Sequence, residues 1–186
     1  MRKYQIIYID PPWKMGNKSK NRVLVPKYNV LQDKDIFQLS INNIADKNCA
    51  LFLWSINSKL PQSIAIIEKW GFRYVGIAFC WVKTSKKTNK PNCRMSGNYT
   101  LQGIEICLLG IKGKMKTKDR TVRQVLLSPR EYHSKKPNII REKIIKLFGN
   151  LPRIELFARA KFLGWDCLGY EINGKDIRQE LKEKIK

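Results

Sequence analysis

A chain of 186 residues with 43% hydrophobic residues is long enough for one domain with a substantial core. Its 37 Lys and Arg oppose 15 Asp and Glu, and the formal net charge of +22 predicts a polyanionic partner. No apolar run approaches the roughly 20 residues of a membrane helix, the N-terminus lacks the apolar core of a signal peptide, and five scattered cysteines with one histidine form no zinc-ligand pattern. We therefore expect a cytoplasmic protein with reduced cysteines and no metal.

The first informative segment is a strand that ends in a carboxylate and two prolines. Residues 4–9 form an uninterrupted β-branched and aromatic run, and Asp10, Pro11, Pro12 and Trp13 follow it. Prolines cannot donate to a sheet ladder, so they end the strand and leave Asp10 at its carboxyl tip, where ligands bind in open α/β sheets. A rigid carboxylate beside the rigid Pro11 carbonyl can accept both protons of one amino group, and Trp13 offers a base a stacking face. The alternative is an ordinary strand end with a Pro-Pro turn and a core tryptophan.

Apolar periodicity and turn residues predict further strands and helices along the chain. Strands are predicted over residues 49–54, 72–82, 103–113, 125–127 and 153–157. Helices are predicted over residues 33–39, 58–70 and 137–148, and a polar helical tail over residues 175–186. The alternation of strand, helix and strand is typical of an α/β fold with a mostly parallel, doubly wound sheet. We expect one domain over residues 1–174, followed by the tail.

Basic residues gather in three polar segments that read as loops. They are Lys14, Lys18, Lys20, Arg22 and Lys27; then Lys83, Lys86, Lys87, Lys90 and Arg94; then Lys112, Lys114, Lys116, Lys118, Arg120 and Arg123. If these loops meet at one end of the sheet, they form a rim that binds phosphates. The expected substrate contacts from this rim are Lys18, Lys20, Arg22, Lys86, Lys87 and Arg94. The alternative is that the basic segments are solvated loops.

The tetrad resembles the catalytic motif of S-adenosylmethionine-dependent amino-methyltransferases. Its Asp-Pro-Pro-Trp form is similar to that of the N6-adenine family, which includes the messenger-RNA adenosine methyltransferase and many phage and bacterial DNA enzymes. The resemblance extends to about residue 172, through residues 105–113, 134–137, 153–159 and 164–171. Because the tetrad comes first and the cofactor strand last, the resemblance implies a permuted Rossmann-like methyltransferase fold of the β-group.

The resemblance also implies cofactor contacts. Lys136, with Ser134 nearby, would bind the methionine carboxylate, and the start of a helix there also favours an anion. Arg159 would contact the ribose side, Lys161 takes a position that is His in the messenger-RNA enzyme, and Glu171 would accept from the ribose hydroxyls. The implied cofactor set is Asp10, Ser134, Lys136, Arg159, Lys161 and Glu171.

On the substrate side, the resemblance implies that Tyr28 lies over the target base. Two features depart from the family pattern. Tyr170 stands where an Asn is expected, and the residues of 157–159 replace the glycine-rich turn of most methyltransferases. One ribose contact and the close backbone approach to the cofactor are therefore altered or replaced.

We expect an enzyme that transfers the methyl group of S-adenosylmethionine to the N6 amine of adenine in DNA. The sulfonium is already a good leaving group, so positioning the amine is the main requirement and no metal is needed. The alternatives are N6-adenine methylation of RNA, N4-cytosine methylation, and a non-catalytic methyltransferase-fold subunit that binds nucleic acid. We expect no membrane partner, and a homodimer or a partner subunit remains open.

Overall fold

Strands and helices alternate along the chain much as the apolar periodicity predicts. The structure, a computed structural model, describes residues 2–14, 31–93, 95–96, 99–131 and 135–185. The strands are β1 (Tyr4–Ile9), β2 (Ala45–Ser55), β3 (Arg73–Thr84), β4 (Met95–Ser96), β5 (Leu101–Gln102), β6 (Ile104–Lys112), β7 (Val125–Pro129), β8 (Arg153–Leu156) and β9 (Asp166–Leu168). The helices are α1 (Asp33–Phe37), α2 (Ile41–Ile44), α3 (Leu60–Lys69), α4 (Ile139–Phe148), α5 (Tyr170–Asn173) and α6 (Ile177–Ile185). None of the described helices is long and apolar enough to cross a membrane.

The described strands form a seven-stranded sheet in the order β7-β3-β6-β2-β1-β8-β9, with β4 and β5 in a separate hairpin. Strand β6 runs antiparallel to β2 and β3, and the other neighbours pair in parallel. The predicted α/β class and mostly parallel sheet are therefore confirmed. We call the edge where the parallel strands end and β6 begins the carboxyl edge, and the other the amino edge.

Helices cover both faces of this sheet, as a doubly wound fold requires. On one face, Ile7 and Leu51 are buried in a core that also takes apolar residues of α1, α2, α3 and α6. On the other face, Tyr8 and Phe52 are buried beneath Ile144 and its neighbours on α4. Side chains alternate between the faces of a strand, so adjacent residues of β1 and β2 supply both cores.

Strand β1 lies in the interior of the sheet, between β2 and β8, and is parallel to both. From β1 the chain passes over one face through α1 and α2 to β2. It reaches β8 from β7 through α4 on the other face. The connections therefore diverge between β1 and β8, and such a switch point leaves a crevice at the carboxyl edge where ligands bind.

The predicted polar tail forms helix α6, which packs into the first core. Ile177 and Leu181 are buried with β1 side chains, and the buried Glu180 accepts a hydrogen bond from Asn173 Nδ2 at 2.6 Å. The exposed side of α6 accounts for its polar composition. Ile177, Leu181 and the partly buried Ile185, spaced four residues apart, hold one face of the helix against the domain.

Candidate active site

The tip of β1 places Asp10 beside Lys136 at the switch point. Lys136 Nζ donates to both Asp10 carboxylate oxygens, at 2.7 Å each, and the two side chains are 10% and 24% exposed. Lys136 lies just before α4, so the pair joins the start of that helix to the interior of the sheet. The lysine ammonium also lies 5.2 Å from the ring centre of Trp54, within the range of a cation–π contact.

Glu105 extends this pair into a chain of alternating charges. Because β6 is antiparallel, its first residues lie at the carboxyl edge, beside the tip of β1. Glu105 binds Lys136 Nζ at 3.1 Å and Lys83 Nζ at 2.6 Å through its two oxygens. The order Asp10, Lys136, Glu105, Lys83 therefore alternates in sign through a largely buried region. No site role was predicted for Glu105, although a single acid in an apolar strand was the signal that could have indicated one.

The charges in this chain shift one another's pKa values. Burial opposes the charge on Lys136, but attraction by Asp10 and Glu105 outweighs it and raises the lysine pKa. Burial likewise opposes the charge on Glu105, but Lys136 and Lys83 together lower its pKa. For Asp10, burial raises the pKa, and attraction by Lys136 offsets only part of that effect. The site thus keeps a charged lysine in a half-enclosed position, next to a carboxylate that is a better proton acceptor than an exposed aspartate.

The Pro-Pro turn is held by hydrogen bonds around Trp13. The Trp13 backbone N–H donates to the Pro11 carbonyl at 2.9 Å, and the indole N–H donates to the Trp54 carbonyl at 2.9 Å. In turn, Trp54 Nε1 donates to the buried Tyr8 hydroxyl at 2.7 Å. The Pro11 carbonyl, predicted to accept from a substrate amine, therefore has one lone pair engaged and one remaining. The Trp13 ring is half-buried and fixed in place.

On the other side of the crevice, the tips of β8 and β9 approach each other closely. Phe157 adopts a left-handed φ of 60°, uncommon for a residue other than glycine. A Cβ at Gly169 would lie 2.4 Å from the Ala158 carbonyl oxygen, so only glycine allows this approach. The close backbone packing expected of a glycine-rich turn is therefore supplied by Gly169, which directly follows the neighbouring strand β9. Just beyond, Arg159 Nε and Glu171 Oε1 lie 3.4 Å apart.

A cleft with an empty volume of about 1020 Å³, including its solvent-filled mouth, runs between these tips. Asp10, Glu105 and Lys136 supply its charged floor, and a second hollow of about 820 Å³ shares Asp10 and Lys136 on the α4 side. The cleft is lined by Asp10, Pro11, Pro12, Trp13, Leu31, Ile56, Glu105, Lys136, Phe157, Ala158, Arg159, Tyr170, Glu171, Asp176 and Ile177.

A buried ion pair fixes the wall of the second hollow. Arg141 of α4 donates to the two carboxylate oxygens of Glu155 on β8, at 2.6 and 2.5 Å, and to Asn138 Oδ1 at 3.2 Å. The guanidinium carbon lies 3.5 Å from the ring centre of Phe162. Arg141 and Glu155 are only 8% and 5% exposed, so this buried pair joins α4 to β8. The apolar periodicity of the two segments did not indicate the pairing.

Most of the residues predicted at the catalytic and cofactor site come together. Asp10, Pro11, Pro12, Trp13, Lys136, Arg159 and Glu171 all line the cleft. Lys161 is exposed and lies outside the lining of the cleft and the second hollow. The predicted residues Lys18, Lys20, Arg22, Tyr28, Arg94 and Ser134 lie outside the described part of the chain.

The three basic segments do not meet at one end of the sheet. Lys86 and Lys87 are exposed at the carboxyl edge, just after β3. The third segment begins at Lys112, the last residue of β6, and leads into the start of β7, so it lies at the amino edge. A single rim of all three groups is therefore wrong, because the antiparallel direction of β6 carries the third group away from the cleft.

Comparison with known proteins identifies the family of this arrangement. Residues 4–171 match the MT-A70 family model. The chain is 38% identical over 196 residues to the Type II methyltransferase M.MunI of Mycoplasma sp., which covers 95% of this chain and 81% of that protein. It is 27% identical over 175 residues to the human N(6)-adenosine-methyltransferase catalytic subunit METTL3, covering 92% of this chain but 29% of that protein. It is also 35% identical over 117 residues to the N6-adenosine-methyltransferase non-catalytic subunit MTB of Arabidopsis thaliana, covering 61% of this chain and 15% of that protein.

Proposed function

The chain belongs to the MT-A70 family, and from that premise we propose that it transfers the methyl group of S-adenosylmethionine to the N6 amine of adenine in DNA. The family predicted from the sequence is thereby confirmed, and the prediction of an adenine N6-methyltransferase agrees with it. The observation that carries the proposal is the Asp10 carboxylate at the switch point, beside the Pro11 carbonyl and held by Lys136.

The described residues fit the cofactor. Lys136 is a charged ammonium whose three N–H groups contact Asp10 and Glu105, so the methionine carboxylate would take the place of one of these contacts. Glu171 and Arg159 lie across the cleft, where a carboxylate can accept from ribose hydroxyls. The close packing at Gly169 keeps the tips of β8 and β9 together beneath that position. When bound, S-adenosylmethionine supplies a methyl group on a sulfonium leaving group.

Asp10 and Pro11 orient the amine. The carboxylate has lone pairs beyond those taken by Lys136, and the Pro11 carbonyl has one beyond that taken by Trp13. Two acceptors that each hold one N6 proton free the nitrogen lone pair for attack on the methyl carbon. Asp10 then receives the proton that N6 loses, a role its raised pKa favours. Trp13, pinned to the Trp54 carbonyl, supports the base that has left the stack.

We favour DNA over RNA as the substrate because the match with M.MunI, a Type II methyltransferase, extends over 81% of that protein, whereas the match with METTL3 extends over 29%. The net charge of +22 suits either polyanion. Lys86 and Lys87 at the carboxyl edge stand where they can contact phosphates beside the cleft. A cytoplasmic location stays a prediction. The involvement of a second copy or a partner subunit also stays a prediction, and it is consistent with METTL3 and MTB each being named as a subunit.

The second candidate, a non-catalytic nucleic-acid-binding subunit, is suggested by the similarity to MTB. A non-catalytic subunit has no need for a carboxylate acceptor, a lysine and a second acid that contact one another at the switch point. Here Asp10, Lys136 and Glu105 form one connected set at the switch point, which favours the enzyme.

Methyl transfer from labelled S-adenosylmethionine tests the proposal, with duplex DNA, single-stranded DNA and RNA compared side by side. We expect label on N6-methyladenine in DNA, and Asp10→Ala should retain cofactor binding but lose at least 99% of turnover. Glu68→Ala, which removes an exposed acid of α3 outside the cleft lining, is the control and should keep its rate. Transfer to RNA alone would replace DNA as the substrate, and absence of cofactor binding would favour the non-catalytic subunit.

A further inference from the structure

The loop that joins β6 to β7 is a strongly basic surface on the side of the sheet away from the cleft. We define the amino-edge loop as residues 112–124. It contains six cations and one acid, Asp119; the cations are Lys112, Lys114, Lys116, Lys118, Arg120 and Arg123. All of these cations except the half-buried Lys112 are exposed.

The amino-edge loop is anchored along its length. Met115 and Val122 pack against the core beneath α4, and the Lys118 backbone N–H donates to the Leu147 carbonyl at 2.8 Å. The Lys114 backbone N–H donates to Asn48 Oδ1 at 2.7 Å. With its backbone fixed by these contacts, the loop presents its cations in a defined arrangement without the entropy loss of ordering a free segment.

The positive charge of this loop is left largely uncompensated. Asp119 accepts from the Thr121 backbone and hydroxyl, and it also lies 3.4 Å from Lys146 Nζ. Among the ion pairs of the described residues, none involves Lys114, Lys116 or Lys118. Like charges held this close repel one another, so a polyanion that covers them gains both attraction and relief.

The composition of the loop indicates which polyanion it suits. The large exposed apolar side chains of the described chain all lie outside residues 112–124, so the loop lacks the apolar anchor typical of protein interfaces. It also contains no aromatic residue on which unpaired bases could stack. Lysines and arginines without either feature suit the phosphate backbone of a duplex.

The position of the loop separates it from the segment of DNA that enters the cleft. Glu105 and Lys112 lie at opposite ends of β6, roughly 23 Å apart at the usual rise per strand residue. A duplex is stiff over about 150 base pairs, so a segment held at the carboxyl edge does not turn back to the amino edge within one site. Any duplex on the loop is a different segment from the one being methylated.

We propose that the amino-edge loop is a second, sequence-independent binding surface for duplex DNA. This second surface is separate from the methyl-transfer site, and its assignment rests on the proposed function only in taking DNA as the substrate. The protein would hold one segment at the cleft and a second, distant segment or molecule at the loop. Such double contact keeps an enzyme near its substrate between turnovers and lets it pass from one segment to another.

A bridging experiment tests this proposal. A biotinylated duplex on beads is loaded with the full chain, and capture of a second, fluorescent duplex is measured at increasing salt. The test variant carries Lys114→Gln, Lys116→Gln and Lys118→Gln. The matched control carries Lys34→Gln, Lys175→Gln and Lys182→Gln, which remove the same charge from exposed positions in or beside α1 and α6. Methyl transfer to a short duplex is measured on every sample.

We expect the unchanged chain and the control to capture the second duplex, and the loop variant to lose at least 90% of that capture. Short-duplex methylation should persist in the loop variant. The slope of log affinity against log salt for the second duplex should fall by about 2.7, the value for three lost phosphate contacts. If the loop variant captures as much second duplex as the unchanged chain, the proposal is overturned, and bridging through paired copies is indicated in its place. If none of the proteins captures the second duplex, the proposal is overturned as well. Capture of duplex RNA in place of DNA would also overturn it, while absence of methyl transfer would count against the proposed function alone.

Discussion

Replacement of Glu105 by Gln should destabilise the fold through the two lysines that it leaves behind. Glu105 binds Lys83 at 2.6 Å and Lys136 at 3.1 Å, and both lysine side chains are 10% exposed. Removal of one partner from a buried ion pair typically costs about 3–5 kcal/mol. A glutamine keeps the shape and one acceptor, and Asp10 still neutralises Lys136, so we expect the lower end, about 3 kcal/mol. For a domain of this size, that lowers Tm by roughly 6–12 °C.

Thermal unfolding at pH 7 measures this effect, and Glu131→Gln is the control. Glu131 lies 2.6 Å from Lys135, but their side chains are 53% and 36% exposed. An exposed ion pair contributes only about 0.2–1 kcal/mol, so the control should lose at most about 4 °C, less than the loss expected for Glu105→Gln. If Glu105→Gln lowers Tm no more than the control does, then the alternating charge chain is not a stabilising unit.

Three further results follow from the site. The difference in stability between the unchanged chain and Glu105→Gln should be largest near pH 7 and shrink as the pH falls below about 4.5, because the pKa of Glu105 in the folded protein lies below its ordinary value. A difference that stays constant down to pH 3 would contradict this. Gly169→Ala should force apart the tips of β8 and β9 and weaken S-adenosylmethionine binding, measured by calorimetry, at least tenfold. Gly174→Ala is the control, because nothing lies within 4 Å of its new Cβ; its positive φ should cost about 1 kcal/mol of stability, and cofactor binding should stay intact. Arg141→Met should lower stability by about 3–5 kcal/mol in denaturant titrations, and adding Glu155→Gln should restore part of it, because the single change leaves a buried carboxylate unpaired.

Local patterns predicted the elements and much of the cleft because those features depend on neighbouring residues. The apolar run before Asp10 forms the interior strand β1, and Gly71 and Gly149 follow α3 and α4 with positive φ values of 81° and 92°. The resemblance placed Lys136 and Glu171 across one cleft, although 35 residues separate them in sequence. These positions follow from strand tips that a parallel sheet brings to one edge.

Features that depend on strand direction or on distant partners were not predictable in the same way. Glu105 enters the site only because β6 runs antiparallel, and the same reversal moves the amino-edge loop away from the cleft. Arg141 pairs with Glu155 across a helix and a strand, and no periodicity in either segment indicates the pairing. The Pro11 carbonyl was predicted to accept from a substrate amine, but the turn that it also closes with Trp13 was not predicted.

The position of β1 between β2 and β8 has a consequence for how the chain is made. Residue 6 of β1 pairs with residue 153 of β8, 147 positions later, although β2 can pair with β1 much sooner. At translation rates of about 5–20 residues per second, one side of β1 stays open for on the order of 7–30 s. An unpaired strand edge of this kind is a target for other strands, so nascent chains should need protection on the ribosome. The crevice that holds Asp10 exists only once the polypeptide has been synthesised through β8, so shortened translation products would carry the catalytic turn without a site.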